Sequence, residues 1–273
     1  MNDLLVALAE ERFGINANPD DVNRLRNYIL ETYGAVSSEI LEKVFSSGEA
    51  AGFLTVGETY FFREPAHFSF LKDMLPSFEK TGIRICSAAV ASGCEAYSIA
   101  MLIEAYNRLT DKPLSYHIDA FDINPRVIEN ARQGLYGEHA LREDGSCFRY
   151  MADPYLKKIE NGHRVDDSLK KNIFFFVHNL MDRLSDKLNP KNTFAYDIIF
   201  FRNAFIYFTG RNRGRILSNL SAVLKEGGIL IMGVSETAGV HCDDLENKNR
   251  EDVFYFQKLK LPDSSIESFS KLG

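Results

Sequence analysis

The stretch Tyr196-Asp197-Ile198-Ile199-Phe200-Phe201-Arg202-Asn203-Ala204-Phe205-Ile206-Tyr207-Phe208 decides how this chain is read. The run Tyr196 to Phe201 has the length and composition of a buried strand. It halts at Arg202 and Asn203, and the chain turns apolar again up to Tyr207 and Phe208. A cation, an amide and a phenol at the carboxyl end of a buried strand are not what core packing asks for. In open α/β sheets that edge is where ligands bind. The same residues also suit a plain polar turn, so the flanking pattern has to separate the two readings.

Outward from this strand, apolar runs alternate with helical patterns. Ile83 to Ala88 reads as a short buried strand, and Tyr116 to Phe121 and Ile173 to Val177 read as further strands. Glu95 to Leu109 carries Ile99, Leu102 and Ile103 on one helical face. Asn124-Pro125 is a helix start, a cap followed by proline in the first turn, and Gly134 ends that helix. Gly210 to Leu224 reads as a helix terminated by Gly227-Gly228, and Ile229 to Val234 and Val253 to Gln257 as the last strands. Strands alternating with helices predict an α/β fold, a mostly parallel doubly wound sheet covered on both faces. Two closing strands with no helix between them predict an antiparallel edge. That order matches the class I methyltransferase variant of the doubly wound sheet, although periodicity alone does not choose it over other α/β folds.

Upstream, apolar positions at three-to-four spacing predict helices through the first sixty or so residues. Pro19-Asp20-Asp21 opens one of them, Gly34 closes it, and Ser38 can cap the next. The pattern divides the chain into an N-terminal all-helical domain at 1–68, an α/β domain at 69–261 and a Ser-rich, loosely held tail at 262–273. Residues 138–172, polar and irregular, are a candidate inserted subdomain with no readable hairpin signature.

Composition narrows the function classes. The 273 residues are 45% hydrophobic and 26% charged, with a net charge of −6, so the basic footprint of a nucleic-acid enzyme is missing. Up to Tyr60 the only cations are Arg12, Arg24, Arg26 and Lys43, which argues against a DNA-binding or membrane-surface arm. Cys86, Cys94, Cys147 and Cys242 form no CxxC pair, so no zinc knuckle or disulfide framework is indicated, and free thiols in a reducing cytoplasm are expected. The apolar run Leu4 to Ala9 is too short for a signal segment, and no run reaches the ~20 residues of a membrane span. No metal site is expected.

Three constellations carry chemistry. Ser87-Ala88-Ala89-Val90-Ala91-Ser92-Gly93-Cys94-Glu95 is a turn of small residues between strand and helix, which lets a ligand approach the backbone. It is neither GxGxxG nor a P-loop, and such a turn also serves simply to pack a helix on a strand. Asp122 ends the second strand, where an acidic residue accepts hydrogen bonds from ribose hydroxyls. Its other reading is a turn start before Asn124-Pro125, and the small-residue turn upstream favours ribose. Glu58-Thr59-Tyr60-Phe61-Phe62-Arg63-Glu64-Pro65 joins the helical region to the sheet, as domain-interface packing or as part of a site.

Taken in order, these segments resemble the CheR family of chemotaxis receptor glutamate methyltransferases. A pattern close to N-E-T-x-F-F-R-D/E stands at Gly57 to Glu64, and one close to S-A-A-C-S-x-G-E-E-P-Y-S at Ser87 to Ser98. A-x-D-I-D/S falls at Ala120 to Asn124, and A-R-x-G-x-Y at Ala131 to Tyr136. An N-L pair is Asn179-Leu180. C/F-R-N-V-x-I-Y-F lies at Phe201 to Phe208, and L-x-x-G-G-x-L-x-x-G-x-S-E at Leu224 to Glu236. The resemblance implies a class I S-adenosylmethionine-dependent methyltransferase sheet behind a small helical domain.

The implied activity is O-methylation of glutamate side chains on the cytoplasmic domain of chemotaxis receptors, with S-adenosylmethionine consumed, S-adenosylhomocysteine released and no metal. By the same resemblance Glu95 would hold the methionine amino group and Asp122 the ribose. Asn179 and Leu180 would contact adenine. Thr59 and Arg63 would reach the methionine end and the methyl, beside Ala89. Arg202, Asn203 and Tyr207 would close the site, with Arg63 and Tyr207 as its catalytic residues. Neither nucleic acid nor membrane insertion is expected.

Departures from the family pattern are Gly57 for Asn, Cys94 for the first of two glutamates, Ala96 for Pro, Ser92, Val90 and Ala204. Two alternatives stay open: a methyltransferase for a different acceptor, and a catalytically weak S-adenosylmethionine-binding signalling protein. Whether a receptor tail peptide is gripped stays open too.

Overall fold

The structure is a computed structural model that describes residues 1–186, 196–237, 240–250 and 253–260. The chain opens with α1 (Asn2–Phe13), α2 (Pro19–Tyr33), α3 (Ser38–Ser46), the single turn α4 (Ala51–Leu54) and α5 (Pro65–Met74). Then come β1 (Ile83–Ala88), α6 (Cys94–Asn107), β2 (Tyr116–Asp122) and α7 (Pro125–Gln133). A region of short elements follows: β3 (Leu135–Tyr136), α8 (Arg149–Ala152), β4 (Leu156–Ile159), β5 (Gly162–Val165) and α9 (Asp167–Lys170). The chain finishes with β6 (Ile173–Val177), β7 (Tyr196–Phe201), α10 (Gly210–Ala222), β8 (Leu224–Met232), β9 (Leu245–Arg250) and β10 (Val253–Lys258).

Local chemistry sets the boundaries. Asn18 accepts the Asp21 N–H at 2.9 Å and Pro19 supplies the first turn of α2, whose end at Gly34 is left-handed. Asn124 caps α7 the same way, accepting the Arg126 N–H at 3.0 Å ahead of Pro125. The cap of α3 is Ser37, one residue before the expected Ser38, with its hydroxyl accepting the Ile40 N–H at 3.3 Å.

The main sheet has the order β6-β2-β1-β7-β8-β10-β9. Strands β6, β2, β1, β7 and β8 are parallel, while β10 runs antiparallel between β8 and β9. This is the expected class I methyltransferase sheet. The chain runs outward from β1 through β2 to β6, then returns to lay β7 on the other side of β1. The reversal makes the carboxyl ends of β1 and β7 the switch point of the sheet, where the crevice opens.

Each strand alternates its apolar residues between two faces. Ile85, Ile118, Ile198, Phe200 and Ile231 join α5, α6 and α7 in one core cluster. Cys86, Phe121, Ile199, Phe201 and Leu230 join α1 to α4 and α10 in the other. The N-terminal helices therefore bury Leu5, Val22, Leu25 and Val44 in the same apolar cluster as one face of the sheet. Helix α6 is apolar nearly all round, because it is covered by the sheet below and the short elements above.

Three expectations change. Gly227-Gly228 does not terminate α10, which ends at Ala222. The pair sits in a bulge of β8, where the register on β7 jumps from Tyr196↔Leu224 to Ile198↔Ile229. Gly227 supplies φ 73° for that excursion, and a side chain on Gly228 would lie 2.8 Å from the Lys225 carbonyl oxygen. Strand β9 was not expected, since Leu245 to Arg250 is polar; it is an exposed edge strand held by the β10 ladder. Within 138–172 there is a hairpin after all: β4 and β5 pair across Glu160-Asn161, with Gly162 at φ 141°, and β3 completes a three-stranded sheet. The tail 262–273 lies outside the described residues.

Candidate functional site

Register brings the site together. Ala88 lies opposite Phe121 on one side and Phe201 on the other. The next residues, Ala89, Asp122 and Arg202, therefore leave the sheet at one level. They line a cleft of about 990 Å³, counting its volume open to solvent. Thr59, Arg63, Ala89, Glu95, Asp122, Asn179, Leu180, Arg202, Asn203 and Tyr207 all line this one cleft. Phe121, Ile123, Val127 and Phe68 give it apolar walls.

Two carboxylates mark the cleft. Glu95, in the first turn of α6, accepts the Ser87 hydroxyl through Oε1 at 2.6 Å and Arg202 Nη1 through Oε2 at 3.0 Å. Asp122 accepts the Asn124 N–H through Oδ1 and the Ala91 N–H through Oδ2, each at 3.0 Å. A carboxylate offers about four acceptor positions, so each of these keeps capacity for a ligand. Burial pushes the Asp122 carboxyl up from its ordinary value, and the N–H groups of Asn124, Ala91 and Ile123 pull it part of the way back.

Arg202 is buried, and its guanidinium spans Glu95 and Glu64, with Nη2 3.3 Å from Glu64 Oε2. It also donates to the Arg63 carbonyl. Asn203 has a left-handed backbone at φ 58°. It is fixed from both sides: its side chain donates to Glu64 Oε1 at 2.8 Å, and its N–H to Glu236 Oε2 at 2.6 Å. Among the described residues, the non-glycines with left-handed backbone are Phe62, Glu64, Ala89, Ala91 and Asn203. Each costs roughly 1–2 kcal/mol, and all lie in or beside the cleft. The Phe62 strain is held by Ser98, whose hydroxyl accepts the Phe62 N–H at 2.9 Å.

The segment from Thr55 to Tyr60 forms the outer wall. Glu58 pairs with Arg142, Tyr60 donates to Asp144 at 2.8 Å, and the Arg142 guanidinium sits 4.3 Å from the Tyr60 ring. Arg63 donates to the Glu58 carbonyl at 3.3 Å and leaves the rest of its guanidinium in the cleft. Tyr207 is half-buried there, and desolvation raises its phenol above the ordinary value despite the nearby Arg63 charge.

Several contributors have no clear sequence signal. Phe13 and Ile15, at the end of α1, line the cleft. Ile15 forms a bridge with Phe208, Asn16 N–H donates to the Tyr207 carbonyl at 2.8 Å, and Thr209 N–H to the Gly14 carbonyl at 3.1 Å. Nothing in the local pattern of α1 marks it as a wall of a site formed some two hundred residues later. Glu236 and Glu64 stand in segments quoted above but carried no role there. Cys94, the first residue of α6, does not itself line the cleft: it is buried in the core against Thr59, and desolvation pushes its thiol well above the ordinary value.

Residues 57–254 match the family described as CheR methyltransferase, SAM binding domain. A chemotaxis protein methyltransferase of Escherichia coli is 33% identical over 79% of this chain and 73% of its own length. One of Borreliella burgdorferi is 34% identical over 67% of this chain and 65% of its own length. A probable biofilm formation methyltransferase, WspC, of Pseudomonas aeruginosa is 27% identical over 87% of this chain and 57% of its own length. The chain thus spans between about half and three quarters of these relatives. The match runs from the strap carrying Thr59 and Arg63 to the final strand of the sheet, and it places this chain in the CheR methyltransferase family.

Proposed function

We propose that this protein works in the cytoplasm and transfers the methyl group of S-adenosylmethionine to the γ-carboxylate of glutamate side chains on the cytoplasmic domain of chemotaxis receptors. The observation that carries the reading is the single cleft at the sheet's switch point, which holds two carboxylates, a guanidinium and a phenol together. The chemistry of the donor set fits a zwitterionic nucleoside. Glu95 retains acceptor capacity for an ammonium, and the Arg63 guanidinium, which lines the cleft, offers donors for a carboxylate. Asp122 retains acceptor positions for ribose hydroxyls. The Asn179 side chain is already engaged, donating to the Arg12 carbonyl and accepting the Met181 N–H, so Leu180 and the backbone of that turn face the adenine.

S-adenosylmethionine supplies an electrophilic sulfonium methyl: a carboxylate oxygen forms the new C–O bond as the C–S bond breaks, and the electron pair stays on sulfur. An exposed glutamate has a pKa of about 4.3 and arrives already ionised, so the protein need supply no general base. Its contribution is alignment, which in well-oriented systems reaches ~7–11 kcal/mol. Arg63 steers the acceptor carboxylate, and Tyr207 orders the reacting end of the cleft. Ala89, with its left-handed backbone, keeps side-chain bulk away from the methyl.

The test is transfer of radiolabelled methyl to receptor-enriched membranes, followed by base treatment. Label released as methanol identifies a methyl ester. Label that stays bound after base points to a different acceptor. Cofactor binding with no label transferred points to a sensor.

A further inference from the structure

Glu64 does not line the cleft, yet its carboxylate is more heavily engaged than Arg63 beside it. Oε1 accepts the Asn203 side chain at 2.8 Å. Oε2 lies 3.3 Å from Arg202 Nη2, 3.2 Å from His67 Nδ1, and accepts the Val234 N–H at 3.4 Å. One side chain therefore ties together the strap carrying Arg63, the end of β7 and the turn after β8. Its backbone is left-handed at φ 57°, a conformation that a glutamate adopts only when its surroundings hold it there.

We propose that Glu64 is a positioning residue for the amino-acid end of the cofactor: it holds the Arg202 guanidinium in place and prevents that cation from neutralising Glu95 by itself. This rests on the cofactor reading above. Two carboxylates, Glu64 and Glu95, share one guanidinium, so these three side chains sum to a surplus of one negative charge where an ammonium is to bind, a charge that a cation at His67, 3.2 Å from Glu64, would cancel. If the Glu64 charge is removed, Arg202 pairs with Glu95 alone and the surplus disappears. Asn203 loses its side-chain anchor in the same step, although Glu236 still holds its N–H. Burial alone would raise the Glu64 carboxyl, but His67, Arg202 and Asn203 outweigh it and hold the group well below the ordinary range, so the charge is present at neutral pH.

The effect is selective, because only the aminocarboxypropyl chain of the ligand meets this group. Binding of S-adenosylhomocysteine and of 5′-methylthioadenosine, which lacks that amino acid chain, is measured by calorimetry for wild type, Glu64→Gln and Glu64→Gly. The glycine variant suits the left-handed backbone and guards against a folding defect in the glutamine variant. We expect each variant to bind S-adenosylhomocysteine at least tenfold more weakly and 5′-methylthioadenosine within twofold of wild type. Equal weakening of both ligands, or no weakening of either, overturns the positioning role and leaves the cofactor reading intact. A wild-type protein that binds neither ligand overturns the cofactor reading and this inference with it.

Discussion

The Asn179 side-chain amide donates to the main-chain carbonyl of Arg12 at 2.6 Å, which fastens the last turn of α1 to the wall of the cleft. The contact joins residues 167 positions apart and engages a group outside the matched family segment, which begins at residue 57. Helix α1 is thus part of the site's frame, and its carboxyl end is set by Gly14. That glycine is left-handed at φ 73°, and an added Cβ would meet Met181 Sδ at 2.5 Å.

Gly14→Ala is therefore expected to lose about 1–3 kcal/mol of stability, from the left-handed cost plus the clash. Cofactor affinity should fall severalfold with it, as the Arg12 carbonyl shifts away from Asn179. Urea denaturation and calorimetry check the pair. Wild-type affinity in a destabilised Gly14→Ala protein would show that α1 does not frame the cleft.

Arg63 and Tyr207 should separate binding from transfer. Arg63→Ala is expected to lower kcat roughly 10²-fold, the usual effect of removing one positioned donor, with cofactor affinity changed less than fivefold. Tyr207→Phe should lower kcat by a smaller factor, since it deletes one hydroxyl and keeps the ring in place. Single-turnover methylation beside calorimetry reads both. A purified Arg63→Ala protein that methylates at the wild-type rate would remove Arg63 from the mechanism.

The departures at Gly57 and Cys94 act differently. Gly57 lines the cleft, its φ is not left-handed, and an added Cβ would touch only Val127 at 3.5 Å. Gly57→Asn should fold within about 0.5 kcal/mol of wild type and, through one regained hydrogen bond worth about 1 kcal/mol, bind the cofactor or acceptor roughly fivefold tighter. Cys94 never reaches the cleft, so Cys94→Ala should cost about 1 kcal/mol of stability and leave the rate within twofold. An unchanged affinity in Gly57→Asn, or a slow Cys94→Ala enzyme, would reverse this assignment.

Acid stability should report the paired carboxylates Glu64 and Asp119, the latter buried in β2. Burial would raise Glu64 and Asp119, but His67 and Arg202 for the first, and His117, Tyr196 and Arg84 for the second, hold both below their ordinary values. In the unfolded chain these groups titrate near about 4. Below that pH the unfolded state binds protons that the folded state still refuses, so stability is full above the unfolded pKa and falls as pH drops. Thermal melting should be flat above roughly pH 5 and decline beneath it, with a shallower decline in Glu64→Gln. An identical decline in that variant would show that Glu64 is not held ionised.

The order of strands and helices was legible because buried parallel strands are short apolar runs, and the helix starts at Pro19 and Asn124-Pro125 and the breakers Gly34 and Gly134 are local signals. The same locality misread Gly227-Gly228: two glycines after a helix look like a stop, and only the pairing of β7 with β8 shows that they bulge a strand. It also hid β9, whose polar residues are a strand only because β10 offers them a ladder.

The sequence by itself determined the family and the sheet, and through the ordered motifs that carry the family resemblance it named the ten side chains that line the cleft. Tertiary structure alone decided what holds them. The Glu64–Arg202–Glu95 pairing, the double grip on Asn203 and the docking of α1 on Asn179 join groups far apart in the chain. Their energetics depend on burial and on distances of about 3 Å, which no local pattern encodes.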